Sequence, residues 1–62
     1  MKPTAKPGTP AQYAEAIRRQ LDAGIDLELL NRANHIALES GQISRAHFLA
    51  AARVLAEAVL RS

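Results

Sequence analysis

The side chains able to do chemistry in this 62-residue chain are two histidines, His35 and His47, three serines and six carboxylates; cysteine is absent. A nucleophilic serine needs a base and an orienting acid within hydrogen-bond reach, but Ser40 and Ser44 fall where helices are expected to end and begin, and Ser62 is the last residue. The carboxylates are mostly matched to arginines at helical spacing, Glu15 with Arg19 and Arg18 with Asp22. His35 stands one turn before Glu39 and reads as a solvated partner to it, and neither histidine belongs to a ligand pattern such as H-E-x-x-H. No thiolate metal site is possible without cysteine. The expectation is a protein with no catalytic, cofactor or metal site, and not an enzyme.

A second kind of chemistry is nucleic-acid recognition, and the stretch SGQISRAHF, residues 40–48, has the outline of a helix-turn-helix corner. In the common DNA-reading form the apolar residue follows the turn glycine directly, whereas here Gln42 separates Gly41 from Ile43. A reading helix must also bring side chains to base edges over a phosphate-binding surface. After Ser44 the exposed early turns offer Arg45 and His47, then alanines. The formal net charge of +2 is spread out: the first residues are basic, the middle is acidic, and the last third is basic again. A nucleic-acid reading would use Lys2 and Lys6 with Arg45, Arg53 and Arg61, and it is the alternative to the main reading below.

The elements that position these residues follow from caps and periodicity. The opening MKPTAKPG, residues 1–8, has two prolines, a glycine and two lysines, and is expected to be a flexible basic arm. Thr9-Pro10-Ala11-Gln12 supplies a capping hydroxyl, proline at the first helical position and glutamine for a capping box. The first helix is expected over about 10–23, stopped by Gly24, with Tyr13, Ala14, Ile17 and Leu21 on one face. Asp26 caps a second helix over about 27–40, stopped by Gly41, and Ser44 caps a third over about 45–61. Residues 9–62 are thus read as one all-α domain of three helices. No run approaches the ~18 apolar residues of a membrane span, no hydrophobic leader opens the chain, and a soluble cytoplasmic protein is expected.

The apolar arcs are wider than one small core requires. Leu27, Leu29, Leu30, Ala33, Ile36, Ala37 and Leu38 cover roughly 200° of the second helix, about twice what a surface helix must bury. On the third helix, Phe48, Leu49, Leu55, Val59 and Leu60 share one side, flanked by a shoulder of Ala51, Val54 and Ala58. The main reading is therefore a non-catalytic interaction module, one that self-associates into a homo-oligomer or docks as a small subunit on a larger protein. Its expected contact residues are Leu29, Ile36, Val54, Ala58, Ala51 and Asn34. Asn34 interrupts the apolar arc of the second helix, either as a polar pin across a helix interface or as a residue turned to solvent.

The positions Gly41, Ile43, Ser44, Phe48 and Leu55 have the cadence G-x-[IL]-[ST]-x-x-x-[FY]-x6-L. Over about residues 30–56 this resembles the short helical hairpins called SHOCT domains, which occur at the ends of bacterial proteins. The resemblance implies a bacterial origin and an oligomerisation or interaction role. It departs from the pattern at His47, where those domains favour an acidic residue, and in alanines that replace their lysine-rich second helix.

Overall fold

The computed structural model describes residues 8–61, and these form three helices: α1 Pro10–Asp22, α2 Leu27–Glu39 and α3 Arg45–Arg61. No strand occurs among the described residues, so the all-α expectation holds. The arm expected over residues 1–8 lies, apart from Gly8, outside them.

Each helix starts where its cap requires. The Gln12 amide N–H donates to Thr9 Oγ1 at 3.1 Å and the Thr9 N–H donates back to Gln12 Oε1 at 3.0 Å, a closed capping box. The Leu29 N–H donates to Asp26 Oδ2 at 3.1 Å, and the His47 N–H donates to Ser44 Oγ at 3.3 Å. The first two helices stop by one device. Gly24 and Gly41 adopt φ of +96° and +81°, which lets Ile25 N–H reach Gln20 O at 3.0 Å and Gln42 N–H reach Ala37 O at 2.9 Å. These are Schellman closures with C-caps at Ala23 and Ser40, so the helices end at Asp22 and Glu39, one residue inside the expected ends.

The bundle runs up, down, up. At one end Gly8 and Tyr13 meet His47 near the start of α3, and at the other Arg18 reaches Glu57, so α1 and α3 are parallel. α2 is antiparallel to both, with Asn34 beside Phe48 and Leu27 near Leu55 and Val59. α3 is the central element; α1 and α2 each pack on it and touch one another only sparingly. The buried cluster is Ile17, Leu30, Ala51 and Leu55, with Tyr13, Leu21, Leu27 and Val54 packed against it.

This core corrects the rotation expected for α3. The alanine shoulder faces inward: Ala51 is fully buried, while Leu49, Val59 and Leu60 are more than half exposed. The reason is steric. Ile17 and Leu21 on α1 and Leu30 on α2 supply the bulk, so the α3 positions they meet are best filled by small side chains that let helix axes approach closely. α2 packs mainly on α3 and meets α1 at a few points, so its wide apolar arc is only partly covered, and Leu29, Ala33 and Ile36 on its outer flank stay exposed.

Candidate interaction surface

Polar groups inside the bundle hold the helices in register before any surface is offered outward. Asn34 is 1% exposed, and its amide links all three helices. Its Oδ1 accepts from the Tyr13 hydroxyl on α1 at 2.8 Å, and its Nδ2 donates to the Phe48 carbonyl on α3 at 3.3 Å. Asn34 is therefore a pin within the chain and not a solvent-turned residue or a contact for a partner. Burial raises the Tyr13 pKa above its ordinary value of 10.0, because phenolate would lose its hydration there. Both ends of this bond sit on otherwise apolar helix faces, a pattern visible in the sequence that could have paired them.

The histidines have structural tasks. His47 occupies the third position after the Ser44 cap, with Nδ1 2.6 Å from Ser44 Oγ and Nε2 2.5 Å from the Gly8 carbonyl. A carbonyl can only accept, so Nε2 carries a proton and, in the neutral ring, Nδ1 accepts from the serine hydroxyl. The ring also meets Tyr13 edge-on at 5.8 Å between centroids. The S-x-x-H spacing carries this signal, since it sets the histidine three residues after the capping serine. His35 lies at 4.9 Å from the Phe48 ring in an edge arrangement, in place of the solvated pairing with Glu39. No metal-binding group of histidines and carboxylates occurs among the described residues.

The ion pairs are peripheral. Glu15 and Arg19 pair as expected at 3.7 Å. Arg18 does not turn to Asp22; it reaches across to Glu57 on α3 at 3.5 Å, with both side chains about half exposed. Such a pair contributes little. Of the residues considered for nucleic acid, Arg45, Arg53 and Arg61 are exposed along α3 but eight residues apart, about 12 Å of helix rise between neighbours. Lys2 and Lys6 lie outside the described residues.

The outer surface carries the apolar groups left over. Among the expected contact residues, Leu29 and Ile36 are exposed at 59% and 56%. Val54 packs against the core, Ala58 is half-buried beside Leu21 in a groove of about 250 Å³ between α1 and α3, and Ala51 is enclosed, so these three are not available as open anchors. Of the large residues expected to share one side of α3, Leu49 is exposed at 53%, Val59 at 55% and Leu60 at 85%. Beside them, Leu27, Glu28, Asn31, Ala52, Leu55, Ala56 and Val59 line a groove of about 280 Å³ between α2 and α3.

Fold and surface together define a small three-helix bundle with a buried amide pin and exposed apolar flanks on α2 and α3. No family model, curated protein or solved structure matches the chain. No helix among the described residues is long and apolar enough to cross a membrane.

Proposed function

We propose that this chain is a non-catalytic protein–protein interaction module, which self-associates or docks as a small subunit through apolar residues on α2 and α3. The observation that carries the reading is a balance. Among the described residues five apolar ones are buried, Ile17, Leu30, Ile43, Ala51 and Leu55, while six large ones, Ile25, Leu29, Ile36, Leu49, Val59 and Leu60, are exposed. Single exposed leucines need no explanation, but this many large apolar side chains left outside so small a core are a feature of interaction surfaces. The resemblance of residues 30–56 to SHOCT hairpins supports the same role. Lack of cysteine fits a reducing compartment such as a bacterial cytoplasm.

Sedimentation equilibrium of the purified chain across the micromolar range tests self-association. The expected result is a mass rising above 6.7 kDa with concentration, reversed by charge at an exposed apolar position. A chain that stays monomeric at high micromolar concentration overturns self-association and leaves docking on a larger protein as the only form of the reading.

A further inference from the structure

We draw no further inference here: the strongest candidate, the largely apolar groove of about 280 Å³ between α2 and α3 lined by Leu27, Ala52, Leu55 and Ala56 among others, carries none because nothing in the structure shows what covers it.

Discussion

Tyr13→Phe deletes one oxygen and tests whether the buried amide holds the bundle together. The Tyr13 hydroxyl donates to Asn34 Oδ1 at 2.8 Å, and Asn34 is 1% exposed, so its orphaned carbonyl cannot turn to water. Leaving such a group unsatisfied costs about 1–3 kcal/mol. Against the ~3–5 kcal/mol that a core of this size supplies, that is a large share, and it lowers Tm by about 4–8 °C per kcal/mol. Asn34→Leu should also destabilise, since it strands the tyrosine hydroxyl. The double variant removes both polar ends, so its loss should fall short of the sum of the single losses by about 1 kcal/mol or more. Urea unfolding followed by far-UV circular dichroism measures all four proteins. If Tyr13→Phe lies within ~0.3 kcal/mol of the wild type, or the losses simply add, the bond is not the pin described here.

The same phenol predicts a pH dependence. Its folded pKa is raised above 10.0, so its stabilisation is fully present below the unfolded value and is lost as pH climbs through the folded one. Urea midpoints should fall above about pH 10, and less so in Tyr13→Phe. Gly41→Ala forces a Cβ into φ +81° with nothing within 4 Å to clash, so its cost is torsional, about 1–2 kcal/mol in thermal unfolding. Ala51 is 0% exposed, and Ala51→Leu should cost about 1–3 kcal/mol by overpacking between α1 and α2; a neutral result would mean the core has unfilled room. Because a dimer binds only the folded state, Tm should rise with protein concentration, and Leu49→Glu should flatten that rise.

The boundaries of this fold were legible because capping is local. Thr9, Asp26 and Ser44 each accept an amide three residues on, and Gly24 and Gly41 each close a helix, all within a span of six residues. The face of α1 was legible for a related reason: with Tyr13, Ile17 and Leu21 aligned against charged residues, only one side can turn inward. α3 was not, because apolar residues cover most of its circumference and its rotation is decided by what α1 and α2 bring to it. Size alone would place Leu49 and Val59 inside, yet Ile17 and Leu30 already fill the space beside Ala51. Asn34 stayed open between pin and solvent-turned residue for the same non-local reason. Whether a buried amide is tolerable depends on a hydroxyl 21 residues away.

The inverted use of α3 bears on what its surface is for. A bundle seeking only its own stability would turn large residues inward, since burial stabilises by about 25 cal/mol per Å² of apolar surface. Here the enclosed α3 positions are Ala51 and Leu55, and the larger share of apolar area at Leu49, Val59 and Leu60 faces out. Small size accounts for some exposure in any chain of this length. The alanine shoulder inside and the leucine ends outside are two consequences of one rotation. That rotation gives α3 one side that gathers α1 and α2 and another on which Leu49, Val59 and Leu60 face out.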